Sequence, residues 1–196
     1  MLLLFLLLAG PARACGSSKL QPLLRELDKT LAQSETYIAL RERRIDSLKR
    51  QLNRTDLSPA TRFGLTEQLV DSYNAYQSDS ARLYLRQCLS MAECLDDCDL
   101  IARTQSRLAL NFSLSGRFYE AETILKNISD TLRLSRSTLL HYYMAQHRKN
   151  RELANQTGTS ERMNEFRSQE LYYARCAAEV ADDAVTRLYY TYMVNI

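Results

Sequence analysis

Leu108-Ala109-x-x-Phe112-x-x-x-Gly116-x-Phe118-x-x-Ala121-x-x-x-Leu125 is the stretch whose reading decides the fold. Leu108 and Phe112 stand one helical turn apart, and Gly116 follows a turn later. Phe118, Ala121 and Leu125 then recur at three- and four-residue spacing, so the pattern predicts two helices with a reversal between them. Glycine at 116 takes a left-handed backbone without a Cβ clash, which makes the reversal cheap there. Ala109 and Ala121 are expected to face each other across the pair and let the helices approach closely.

This order of residues resembles the tetratricopeptide repeat (TPR): a Leu-small pair, an aromatic, a turn glycine, a second aromatic and a packing alanine. Gln105 replaces the aromatic usual early in the first helix, and Arg133 stands where a closing proline is common. The segment Leu69-Val70-x-x-Tyr73 echoes Leu108-Ala109-x-x-Phe112 earlier in the chain, so a first, degenerate repeat precedes the central one. There Gln77-Ser78-Asp79-Ser80 takes the place of the turn glycine, with Ser78 or Asp79 expected as the helix cap. Further on, Leu140-His141-Tyr142-Tyr143, Leu171-Tyr172-Tyr173 and Leu188-Tyr189-Tyr190 mark three more helices. A loop over residues 155–160 ends in an expected Ser160 cap. The tyrosines read as core with their hydroxyls at the surface, or else as a ligand-facing aromatic groove.

Composition agrees. The chain has 196 residues, 45% of them hydrophobic, and only 5 Gly and 3 Pro, which disfavours sandwiches and barrels with many tight turns. A net charge of +3 is too small and dispersed to imply nucleic acid.

Ahead of the repeats, positions 20, 24, 27, 31, 34, 38, 41, 45, 48 and 52 alternate steps of four and three, with Ser34 and Arg41 as the exceptions to an apolar seam. This predicts one long amphipathic heptad helix over residues 19–53, packed along the array or paired with a second copy of itself. Ser58-Pro59 is a helix start, Ser as cap and Pro in the first turn. The fold expected is all-α: a right-handed array of antiparallel helix pairs, a TPR-like solenoid over residues 59–196, preceded by that long helix. The last helix shows no stop signal, so the array is expected to continue beyond Ile196.

Met1 to Ala9 is apolar, and Gly10-Pro11 and Ala12-Arg13-Ala14 follow. The run is too short to span a bilayer and reads as an export signal over residues 1–14. Cys15 is a candidate for lipid attachment. Export permits disulfides. The other thiols, Cys88, Cys94, Cys98 and Cys176, read as buried and free, with a Cys94–Cys98 or Cys88–Cys98 bridge as the alternative. No metal is expected, because His141 and His147 fall on different sides of one helix. Asp96-Asp97-Cys98-Asp99 reads as carboxylates at a helix amino terminus, since a calcium loop needs alternating ligands and a central glycine. Four Asn-x-Ser/Thr triplets begin at Asn53, Asn111, Asn127 and Asn155, and read as chance.

Arg44-Ile45-Asp46-Ser47-Leu48-Lys49, Tyr73-Asn74-Ala75-Tyr76 and Asp79-Ser80-Ala81, in that succession with the signal and the repeats, resemble a narrower group. It is the exported front half of TPR regulators of Bacteroidetes-type bacteria, with a domain of unknown function. The resemblance implies a sensor or docking array belonging to a membrane-bound regulator and lying on the periplasmic or extracytoplasmic side of the inner membrane. No catalytic constellation and no cofactor motif emerges. The expected role is non-enzymatic: a protein or peptide ligand held in a concave groove formed by Glu67, Asp71 and Asn74 of the first repeat and Arg103, Arg107, Leu110 and Leu114 of the central one. The alternative is a structural module with the 20–52 helix as the interface of a homodimer.

Overall fold

A computed structural model describes residues 17–128 and 130–195. The signal and Cys15 expected from the sequence lie outside the described residues. Among those residues the chain forms nine α-helices and one short 3-10 turn, with no strand. It divides into two compact units, residues 1–43 and residues 44–196.

In the first unit, α1 spans Ser17–Ala32, and α2, Ser34–Leu52, begins there and ends in the second unit. The single helix expected over 19–53 is therefore two. At Gln33 the backbone N–H turns to the carbonyl of Thr30, three residues back, and the helix restarts at Ser34. Every described side chain from Leu20 to Arg41 is exposed, including Leu20, Leu24, Leu27, Leu31 and Ile38 of the apolar seam.

In the second unit the seam is buried. Ile45 and Leu48 join Leu65, Leu69, Tyr73 and Ala81 in one core cluster, with Leu52 and Leu57 at its edge. The seam thus has two fates: residues 45–52 are consumed within the chain, and residues 20–38 are open.

The repeats are α3 (Pro59–Asn74), α4 (Ser78–Cys94), α5 (Cys98–Leu114), α6 (Phe118–Lys126), α7 (Arg136–Gln156), α8 (Ser160–Val180) and α9 (Ala184–Val194). Three-residue connections join most of them, short enough to force antiparallel neighbours. The turn Ser115-Gly116-Arg117 works as expected, with Gly116 at φ +73°. The turn Leu95-Asp96-Asp97 reuses this geometry with Asp96 at φ 52°, a conformation that Asp tolerates better than most residues.

Helix starts follow the side chains available. The side chains of Ser58, Asp97, Ser135 and Asp183 accept N–H groups from Thr61, Leu100, Thr138 and Thr186. The caps expected at Ser78 or Asp79 and at Ser160 are displaced: Gln77 and Thr159 occupy the cap positions and neither side chain bonds the helix.

Alanine spacing sets how closely the helices pack. Ala81, Ala92, Ala109, Ala121, Ala145, Ala174 and Ala177 are all 0% exposed. Ala109 and Ala121 lie in one cluster with Leu108, Phe112 and Leu125, as the sequence predicts. Tyr73 stacks on Tyr84 with ring centroids 5.6 Å apart, and Tyr190 is buried against His147. Tyr172 and Tyr189 are exposed, so the tyrosines divide between core and surface.

Candidate functional site

Of the first helices of successive pairs, α3, α5 and α7, the first two carry the charges singled out in the sequence. Arg103 Nη2 on α5 donates to both carboxylate oxygens of Glu67 on α3, each at 3.2 Å. Arg107, one turn on, donates from Nη1 to Glu67 at 3.0 Å and from Nη2 to Asp71 at 2.5 Å. The spacing i, i+4 on each helix makes this possible, because it stacks Glu67 under Asp71 and Arg103 under Arg107 on facing stripes. Glu67, Asp71, Arg103 and Arg107 are thus brought into one cluster.

The other groove candidates stand apart from that cluster. Asn74 is exposed at the last turn of α3, while Leu110 is half-buried against the core and Leu114 is exposed. The guanidiniums of Arg103 and Arg107 have their acceptors inside the protein, so they serve as inter-repeat links before they serve any ligand.

The cluster extends to α7. Burial, with the positive charges of Arg107 and Arg103, pushes His141 down to about 4, against an opposing pull from Asp71. His141 is therefore neutral beside two cations. His147, on another side of α7, packs edge-on to Tyr190, its Nδ1 3.2 Å from the carbonyl oxygen of Glu170. The two histidines are separated as expected, and no group of three or more His, Cys, Asp or Glu among the described residues could hold a metal ion.

Cys88 lies behind the cluster on α4; burial pushes its thiol up to about 12, and Glu67 adds to the effect. Cys94 and Cys98 are exposed and Cys176 is half-buried, so of the thiols expected to be buried only Cys88 is fully so. All four are free, and neither the Cys94–Cys98 nor the Cys88–Cys98 bridge is formed.

Asp99 links α5 to α7. Its carboxylate accepts the Ser135 backbone N–H at 2.6 Å and the hydroxyls of Ser135 and Thr138 at 2.9 and 2.8 Å. The sequence expectation of carboxylates at a helix amino terminus holds twice over: Asp97 caps its own helix and Asp99 the start of α7.

Two polar anchors have no clear sequence signal. Arg82 donates to Asn111 Oδ1, Ser115 Oγ and Asp79. Asn111 Nδ2 in turn donates to the carbonyl and hydroxyl of Ser78. Asn111 is 2% exposed, which bars a glycan from that triplet. Further along, Lys149 is buried and ion-paired with Glu122 of α6. The Asp79–Arg82 spacing of three is visible in the sequence, but its partners 29 to 33 residues away are not.

No helix of the described residues is long and apolar enough to cross a membrane. No curated protein and no solved structure matches the chain. One family profile does, over residues 31–194, described as the SusR N-terminal TPR domain. Its span takes in all of α2 to α9, the alanine-zipped pairs and the α3–α5–α7 charge cluster, and leaves out almost all of α1. With that profile covering most of its length, the chain belongs to the family of SusR N-terminal TPR domains.

Proposed function

We propose that this protein is an extracytoplasmic, non-enzymatic sensor or docking module of a membrane-bound regulator, holding an extended peptide or a partner helix against the face formed by α3, α5 and α7. A TPR domain is a protein-interaction fold, and such domains generally bind protein partners. The observation that carries the reading is the continuity of the three first helices. Side chains bridge α3 to α5 through Glu67, Arg103 and Arg107, and α5 to α7 through Asp99, Ser135 and Thr138. These links hold successive repeats in fixed register, as a preformed groove requires.

The exposed groups on these helices are Asn74 and Leu114, Leu110 is half-buried against the core, and the paired charges set the electrostatic pattern. Selection from a random peptide library on the intact chain, followed by affinity measurement with Leu110→Arg and Leu114→Arg, tests the reading. Loss of binding with unchanged helicity supports it. Affinity unaltered by both substitutions counts against it.

A second reading rests on the open part of the seam. Leu20, Leu24, Leu27 and Leu31 of α1 are 54%, 41%, 52% and 59% exposed, an apolar stripe at heptad spacing. A homodimer through this stripe would use residues 20–38 alone, since Ile45 and Leu48 are already buried within the chain. Mass in solution with and without α1 separates the two states. A monomer in both cases removes the dimer.

A further inference from the structure

A cavity of about 360 Å³ opens between α4, α5 and α6, and none of its lining residues belongs to the α3–α5–α7 charge cluster. Leu108, Phe112 and Ile124 form its apolar wall; Arg86, Arg117 and Glu120 stand at its polar side. This volume falls at the lower end of the range of about 300–1,000 Å³ for small-molecule sites.

The charges are unequal. Arg117 is held on Glu120 through Nε at 2.7 Å, and its guanidinium lies over the Phe112 ring, 4.7 Å from the centroid. Arg86 is exposed and has no hydrogen bond or ion pair among the described residues. Two guanidiniums against one carboxylate leave one positive charge unmatched, at the edge of a cleft whose other lining is apolar apart from Tyr119 and Thr123. That combination suits a ligand with a single negative charge and an apolar body small enough for the cleft.

We propose that this cavity binds a small apolar monocarboxylate. Its hydrocarbon lies against Leu108 and Ile124, and its carboxylate pairs with Arg86. Arg117 is pre-positioned by Glu120 and Phe112 and contributes the second, weaker electrostatic contact. The pairing is charge-assisted but lies at the exposed edge of the cleft, so it contributes about as much as a surface ion pair.

The test is a titration of the full, isotope-labelled chain with 3-phenylpropionate, followed by backbone amide shifts, beside an identical titration with the uncharged 3-phenylpropionamide. The expected result is a set of shifts confined to the α4–α5–α6 cleft, with the amide binding about threefold more weakly. Arg86→Gln should lose the same factor for the acid and nothing for the amide, and Thr123→Phe, which fills the cleft from its exposed rim, should abolish binding of both. Arg86 has no bond that the fold depends on, so Arg86→Gln stays informative even if Thr123→Phe unfolds the chain. Equal affinity for acid and amide, shifts centred elsewhere, or no shifts up to the solubility limit would each overturn the proposal.

Discussion

Arg107 Nη1 donates to Glu67 Oε1 at 3.0 Å across 40 residues of chain, and this ion pair joins the first helix of one repeat to the first helix of the next. The two side chains are 16% and 24% exposed, so the pair is too sheltered to be treated as a surface salt bridge. Arg107→Glu would set three carboxylates together with Asp71. We expect it to lower stability by about 2 kcal/mol. A Glu67→Arg, Arg107→Glu double variant should recover part of that. Urea midpoints measure both, and an unchanged midpoint in Arg107→Glu would show that the pair contributes nothing.

The two left-handed turns predict effects of opposite sign. Gly116 has no atom near the position a Cβ would occupy, so the cost of Gly116→Ala is the backbone at φ +73° alone, about 1 kcal/mol. Asp96 holds the equivalent turn at φ 52° with a side chain, and Asp96→Gly should gain up to about 1 kcal/mol. Thermal unfolding of the pair of variants checks the signs. A stabilised Gly116→Ala would mean that the turn relaxes out of the left-handed region.

Acid should act through three groups, two histidines and one carboxylate. His141 titrates near 6.5 when unfolded and is held down to about 4 in the fold. Between those values the unfolded chain binds a proton that the folded chain does not, so stability falls as pH drops through this window. His147 is shifted the same way by burial, so His141→Gln should reduce the slope without abolishing it. Urea midpoints for the chain and the variant across this window provide the comparison, and identical slopes would exclude His141.

Asp99 acts lower on the pH scale. Burial alone would raise its carboxyl, but the hydrogen bonds from the Ser135 backbone, the Thr138 hydroxyl and the Ser135 hydroxyl outweigh it and hold the group below its ordinary 3.8. Its contribution is therefore complete above that value and is lost as pH falls through the depressed one. Asp99→Ala should cost about 1–2 kcal/mol at neutral pH, because it leaves the Ser135 N–H without its acceptor and unties α7 from α5. A variant as stable as the parent at neutral pH but not in acid would refute this assignment.

Asn111 gives a fifth test. Asn111→Ala removes the acceptor of the half-buried Arg82 Nε and the donor to Ser78, and leaves a gap where a 2% exposed side chain packs. A loss of about 2 kcal/mol is expected in chemical denaturation. Asn53, Asn127 and Asn155 are all exposed and Asn111 is buried, so expression through a eukaryotic secretory path should leave Asn111 bare. Mass spectrometry of the Asn111 peptide reads that outcome directly.

What the chain determined by itself is local. The three- and four-residue spacing of Leu108, Phe112, Ala121 and Leu125, the left-handed Gly116, the Ser58-Pro59 start and the Asp97 cap all follow from rules that act within one or two helical turns. The i, i+4 pairs Glu67–Asp71 and Arg103–Arg107 could be placed on helix faces for the same reason. Only the tertiary structure decided that these faces meet, with the arginines engaged by the neighbouring repeat and His141 neutral beside them. It also decided that Asn111 is an anchor, that Cys94 and Cys98 are exposed, and that the apolar seam is buried at Ile45 and Leu48 but open from Leu20 to Ile38. A helix face records that a side chain must be covered, and its spacing cannot record by what. The covering residue lies tens of positions away, and its distance in space is set by how every intervening pair packs.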